Sequence, residues 1–151
     1  MVKANFRGRR RAEHRLRGGL LFLTLAAALP GLWATFWPRP FFDDFPGFGF
    51  SWVHLYPPYN EHLVRDVGAF YLAFAVLFAI TTRLMGQRLT RIALISWLFF
   101  SVPHLVFHVM NLDGVEPRDG IGQGLSLGLL VLVPLLLLTQ VRKAERRGVS
   151  F

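Results

Sequence analysis

Four long apolar stretches constrain this chain more than any other feature: Gly19 to Trp37, Val67 to Thr82, Ile92 to Met110 and Ile121 to Val141. Each approaches the ~20 residues that a helix needs to cross the hydrocarbon core of a bilayer. Lipid offers no partner to unpaired backbone, which leaves helices as the spanning elements. The second stretch is short, but Pro57-Pro58 blocks helix from upstream, and Asn60 stands as an N-cap with Glu61 in the first turn. Starting there gives a full span. The expected architecture is an all-α membrane protein, a four-helix transmembrane bundle with helices at about 19–37, 60–82, 92–110 and 121–141. They form one membrane domain, 19–141, between a basic N-terminal segment (1–18) and a basic tail (142–151). Short connections make sequential neighbours antiparallel.

The charges between the stretches fall in blocks. Seven Lys/Arg and one Glu precede residue 18, three Arg and no acid lie at Arg83, Arg88 and Arg91, and four Lys/Arg with one Glu follow Val141. The other two connections each carry −2, from Arg39, Asp43, Asp44, Glu61, Arg65 and Asp66 and from Asp113, Glu116, Arg118 and Asp119. The positive-inside rule places both termini in the cytoplasm and the acidic connections outside. The net charge of +8 thus reports topology, and the partner of the juxtamembrane arginines is the lipid bilayer, with no nucleic-acid role expected. With 53% hydrophobic residues and no cysteine, the chain is neither disordered nor a disulfide scaffold. Arg outnumbers Lys 15 to 2 and Leu outnumbers Ile 26 to 4, as in a GC-rich genome, which points to a bacterial plasma (inner) membrane. A second reading of the first stretch is a secretory signal peptide ending near Ala34; its length, Pro30-Gly31 and Trp33 favour a membrane helix.

The outer connection, residues 38–59, alternates Pro and Gly with Phe41, Phe42, Phe45, Phe48, Phe50, Trp52, Tyr56 and Tyr59. Such a segment neither spans lipid nor sits comfortably in water. It is either an aromatic belt at the interface or a cap over a site. Asp43-Asp44 is a solvated pair or, alternatively, a cation site.

Helix two opens with Asn60-Glu61-His62-Leu63-Val64-Arg65-Asp66, where Glu61/Arg65 and His62/Asp66 are each at i, i+4. Asp66 lies about 7 Å inside the helix start. Trp97, Ser101, His104, His108 and Asn111 share one face of helix three, and Pro103 frees the carbonyl of Phe99. Antiparallel packing of helices two and three would bring His104 and His108 towards His62 and Asp66.

This cluster supports several readings. It is a hydrogen-bond network that locks helices, as ionisable groups in a membrane need partners. It is a site for a divalent metal such as zinc, with His104, His108, His62 and Asp66 as ligands, although the spacing lacks the Glu of a His-Glu-x-x-His motif. Or it is a proton relay or a pocket for a quinone or lipid head group. Bis-histidine haem is disfavoured, because no second deeply placed His is evident. In helix four, Gly120, Gly124 and Gly128 form a small-residue groove, expected to pack inside the monomer rather than in a homo-oligomer, with Gln123 and Ser126 extending the network. The run Leu129 to Leu138 is expected to face lipid.

The pattern Asn60-Glu61-His62-Leu63-x-Arg65-Asp66-x-Gly68-x-x-x-Leu72-Ala73, followed by His104, resembles small uncharacterised bacterial four-helix membrane proteins, loosely the DoxX-like group. The resemblance implies a four-helix integral membrane protein and attention to Glu61, His62, Arg65, Asp66 and His104; it transfers no activity. No phosphate loop, nucleophile elbow, dinucleotide fingerprint or internal repeat is present. Two functions stay open: a membrane protein binding a metal, quinone or lipid head group at the outward cluster, or a structural or assembly subunit of a membrane complex.

Overall fold

The computed structural model describes residues 2–146, with side chains from Arg10 onward. In chain order its elements are α1 (Val2–Phe36), α2 (Pro38–Asp44), β1 (Pro46–Gly47), β2 (Phe50–Ser51), α3 (Glu61–Leu84), α4 (Gln87–Met110) and α5 (Pro117–Arg146). Four of these, α1 from Arg10, α3, α4 and α5, are long and apolar enough to cross a membrane. The helices outrun the apolar stretches. α1 continues back through the basic segment to Val2, and α5 takes in residues 142–146 of the tail, since Arg, Lys, Ala and Glu are good helix formers. The remainder of the tail lies outside the described residues.

Local signals set the ends of α3. Asn60 Oδ1 accepts the Leu63 N–H at 3.1 Å, and Glu61 complements the helix dipole in the first turn. The helix closes at Met85, whose φ of 51° is left-handed and whose N–H bonds the Thr81 carbonyl. Met85 and Gly86 alone connect α3 to α4.

Of the sequential neighbours expected to pack together, spanning helices one and two and helices three and four do so, but helices two and three do not meet closely. α1 packs chiefly on α3 and α4 on α5, while α3 and α4 touch far less. The reason lies in two glycines. A Cβ at Gly68 would stand 2.6 Å from the Thr35 backbone nitrogen, and one at Gly31 would stand 3.0 Å from that of Leu72, so the two backbones meet there. The device predicted at Gly120, Gly124 and Gly128 is not used in this way. A Cβ at Gly120 would reach Leu112 at 3.3 Å, and at Gly124 or Gly128 it would meet nothing within 4 Å. α5 turns a different face inward, with Gln123, Pro134, Leu137, Leu138 and Val141 buried. The aliphatic run is accordingly split: Leu129, Leu132, Leu135 and Leu136 are exposed, whereas Leu137 and Leu138 are in the core.

At the end of the bundle that carries the chain termini the core is solid. Leu16, Leu20 and Leu23 of α1 meet Phe78 of α3, Leu94 and Trp97 of α4, and Leu137 and Val141 of α5. Trp97 is ringed by Tyr71, Phe74, Phe78 and Phe100 at centroid distances of 5.1–6.0 Å. Its indole N–H donates to the Leu130 carbonyl at 2.8 Å. That carbonyl needs a partner because Pro134, four residues on, has no N–H to offer it.

The aromatic connection folds across the opposite end. Phe41 and Phe42 of α2 are buried against Ala34 and Val64, with Trp33, Phe45, Val53 and Tyr59 around them. β1 and β2 pair antiparallel, Pro46 with Ser51 and Gly47 with Phe50. The turn between them needs positive φ at three successive residues, Gly47, Phe48 and Gly49. From there the chain crosses to the second helix pair, where Trp52 Nε1 donates to Asp119 Oδ1 at 3.1 Å and Arg118 Nη2 donates to the Gly49 carbonyl at 3.2 Å. A Cβ on Gly122 would lie 2.7 Å from the Trp52 ring, so this glycine, and not the Gly120 stripe, admits the cap. Both sequence readings of the segment describe part of it: inner rings cover the bundle end, while Trp37 and Phe48 face outward.

Candidate functional site

The residues predicted as one polar cluster fall into two groups. Glu61, His62, Arg65 and Asp66 sit on the outer surface of α3. Arg65 Nε donates to Glu61 Oε1 at 2.9 Å, and Arg65 Nη1 donates to the Thr35 carbonyl at the end of α1. It thereby satisfies one of the carbonyls that a helix C-terminus leaves open. His62 Nε2 lies 3.3 Å from Asp66 Oδ2, with the two side chains 87% and 61% exposed, so this pair faces away from the bundle. None of the four lines the cavity described below.

His104, His108 and Asn111 form the other group, on α4. His104 stacks on Phe100 at 5.5 Å and contacts the His108 ring edge-on at 4.8 Å. Asn111 Nδ2 donates to the Phe107 carbonyl at 2.7 Å, closing the helix end. The separation of the two groups follows from the helix pairing: α3 is drawn onto α1 by the Gly31/Gly68 crossing, and its His62/Asp66 face is turned away from α4. His104 and His108 therefore do not meet His62 and Asp66. Among the described residues, no group of three or more His, Cys, Asp or Glu is placed to hold a metal ion.

Between the α1/α3 pair and the α4/α5 pair, under the cap, lies a cavity of about 840 Å³. This is the size of a site for a small organic ligand. Its walls come from all four long helices, and its roof comes from Phe41, Phe42, Phe45, Trp52, Val53 and Tyr56 of the connection. Leu29, Leu63, Val67 and Phe107 line it and are also exposed on the outside of the bundle, so the cavity communicates with the helix seams. Its floor is Tyr71, at the edge of the Trp97 ring cluster.

The polar groups of this cavity converge near His108. His108 Nδ1 lies 2.5 Å from Gln123 Oε1 and 3.3 Å from the Tyr56 hydroxyl, which also donates to the Asn111 carbonyl at 3.3 Å. With Nδ1–H donating to Gln123 Oε1 and the Tyr56 hydroxyl donating to the Asn111 carbonyl, both hydrogens are used, and the 3.3 Å approach of Tyr56 to His108 is a close contact beside them. Tyr56 is partly buried, which pushes its phenol pKa up and keeps it a neutral donor. The other end of the Gln123 amide has no partner. Gln123 is 1% exposed, and its Nε2 makes no hydrogen bond among the described residues. Leaving such a group buried and unmade costs about 1–3 kcal/mol. Thr35 Oγ1, Ser101 Oγ and Gln140 Oε1 are also buried without partners, but none of those residues lines the cavity. Pro30, lacking an N–H, frees the carbonyl of Ala26, and both residues are on the cavity wall.

At the rim, Asp43 is committed elsewhere. Arg39 Nε donates to Asp43 Oδ2 at 2.6 Å, and His54 Nδ1 lies 3.4 Å from Oδ1. The Arg39 hydrogen bond holds the Asp43 carboxyl below its ordinary range despite partial desolvation. Of the Asp43-Asp44 pair read as a possible cation site, Asp43 is thus bonded within α2 by Arg39 and approached from the connection by His54, while Arg39 lies 5.0 Å over the Tyr59 ring.

Sequence reasoning reached His104, His108 and Asn111 but assigned no special place to Tyr56, Trp52 or Tyr71. Gln123, read from the sequence as extending the network, is placed by the structure beside His108 as a lining residue of the cavity. Comparison of the chain with protein-family models, with curated proteins and with solved structures finds no match.

Proposed function

We propose that this is a multi-pass protein of the bacterial inner membrane, with both termini cytoplasmic, that binds a lipid-soluble small molecule in the cavity beneath its aromatic cap. The orientation rests on the basic residues, which collect at the end of the bundle that carries the termini. The binding reading rests on one observation: Gln123, whose Nε2 is buried and unpartnered among the described residues, is one of the residues lining a large apolar cavity. A chain that needed the space only for packing would fill it and would place an aliphatic residue at 123. Quinones and lipid head groups, both within the sequence reading, fit such a cavity in size. A divalent metal is not part of the proposal, because His104 and His108 have no third protein ligand beside them among the described residues.

The structural reading keeps one supporting observation of its own. Arg65, bonded to both Glu61 and the Thr35 carbonyl, fastens α3 to α1, so the helix-locking role belongs to the Glu61/Arg65 half of the predicted cluster.

The test is native mass spectrometry of protein purified in mild detergent, alongside a cavity-filling Leu127→Trp variant. The expected result is a hydrophobic adduct on the wild type that the variant lacks. If the wild type is free of adduct and long-chain probes fail to quench Trp33 and Trp52, which line the cavity, the proposal falls.

A further inference from the structure

We infer that the ligand of this cavity carries an uncharged head with an oxygen acceptor, a carbonyl or a hydroxyl, on an apolar body; the inference rests on the binding reading above. The cavity lining carries no fixed charge, its nitrogen bases being the His104 and His108 rings. Of the residues that form it, none is Asp, Glu, Lys or Arg. A phosphate head would enter a low-dielectric space with no fixed cation to pair with, and an amine would enter one with no carboxylate, and unpaired charge is excluded from such surroundings.

The hydrogen-bonding inventory sets the polarity of the head. Part of the polar lining is already engaged within the chain. Asn60 Oδ1 caps Leu63, Ser126 Oγ donates to the Gly122 carbonyl, Trp52 Nε1 donates to Asp119, and the Tyr56 hydroxyl donates to Asn111. Among the described residues, the lining groups that hold donors without a hydrogen bond include the Gln123 Nε2 amide, the hydroxyl of Tyr71, the Trp33 indole N–H, the Asn60 Nδ2 amide and the His104 ring. Tyr71 lies on α3 and Gln123 on α5, so these two donors stand on opposite helix pairs with the cavity between them. Donors call for a ligand oxygen and not for a cation. Ketone-headed and alcohol-headed lipids share that chemistry.

A matched farnesyl series separates the possibilities, with binding followed by tryptophan quenching in nanodiscs: farnesylacetone (ketone), farnesol (alcohol), farnesyl phosphate, farnesylamine and the hydrocarbon farnesene. The ketone and the alcohol are expected to bind at least tenfold more tightly than the phosphate, the amine and the hydrocarbon. The tighter of the two identifies the head as carbonyl or hydroxyl. Gln123→Leu is expected to weaken the preferred ligand about tenfold and to leave farnesene unchanged, which also shows that the variant is folded. Tyr71→Phe removes a single oxygen and should act the same way more weakly. Equal binding of phosphate or amine, or of farnesene in wild type with no effect of either substitution, overturns the inference and leaves the cavity reading standing. Failure of every probe, farnesene included, overturns the cavity reading itself.

Discussion

On one side of Tyr71 the four helices meet side chain against side chain around Trp97; on the other they part around an open cavity closed by a separate piece of chain. Both halves are built from the same helices and from similarly apolar residues. They differ in what their prolines and polar groups do. In the solid half Pro134 frees the Leu130 carbonyl, and Trp97 takes it up at 2.8 Å. The hydroxyls of Thr81, Thr82 and Thr90 are likewise bonded to their own helices. In the hollow half Pro30 frees the Ala26 carbonyl beside the cavity, and the Gln123 amide is left over. Lipid removes the usual hydrophobic drive between helices, so side-chain contact carries the solid half even where Ser101 Oγ and Gln140 Oε1 stay unpartnered among the described residues. The hollow half gives up that contact and keeps a few hydrogen bonds around His108.

The sharpest way to break this comparison is to delete a large side chain from each half. Phe78→Ala, at a fully buried position in the solid half, should cost about 3–5 kcal/mol through lost contacts and a new cavity. Leu127→Ala, on a wall that already borders empty space, should cost about 1 kcal/mol, because little packing is lost. Thermal or denaturant unfolding in one detergent measures both. Equal losses would mean that the cavity is filled by the protein itself in the membrane.

Two changes at the cap end come next in size. Gly122→Val places a side chain where only 2.7 Å separates a Cβ from the Trp52 ring, which should cost about 1–3 kcal/mol. Because the obstructed atoms belong to a side chain of the cap, the loss should appear as weaker ligand quenching of Trp52 with helix content unchanged by circular dichroism. In contrast, Gln123→Leu should leave the ligand-free protein as stable as wild type, or more stable by about 1 kcal/mol, since it removes an unmet donor from a buried wall. A large destabilisation by Gln123→Leu would show that the amide is structural.

How much of this contrast was legible in the sequence varies by region. The spanning helices followed from length and hydropathy, and the start of α3 from Asn60 and Pro57-Pro58, because those signals are local. The weak contact between α3 and α4 was not legible. Gly120, Gly124 and Gly128 look like a packing groove by spacing, but a stripe of small residues does not say which face turns inward, whereas Gly31 and Gly68, single glycines on separate helices, make the close crossing. The candidate site split for the same reason. His62/Asp66 and His104/His108 have equivalent i, i+4 spacing and similar positions near a helix end, and only the α1–α3 crossing decides that one pair faces outward and the other borders the cavity.

The smallest expected effect concerns how the cap is held over the hollow half. Asp43 is bonded by Arg39, which holds its carboxyl below the ordinary value of 3.8, with His54 as a further contact. A group whose folded pKa is depressed contributes stability above its unfolded pKa and loses it as the pH falls through the folded one. The Arg39–Asp43 bond lies within α2, so the last turn of α2 and its contact with His54 should be intact at neutral pH and weaken progressively below pH 3.8. Arg39 stays charged throughout, so the change comes from the carboxylate. Quenching of Trp33 and Trp52 by aqueous iodide should rise over that acid window in wild type. In Asp43→Asn it should be raised already at neutral pH and stay flat on acidification. The Trp97 cluster contains no carboxylate, so its near-ultraviolet dichroism should not change across the same range. A parallel loss of both signals would mean that acid unfolds the bundle as a whole and that the cap is not an independently held piece.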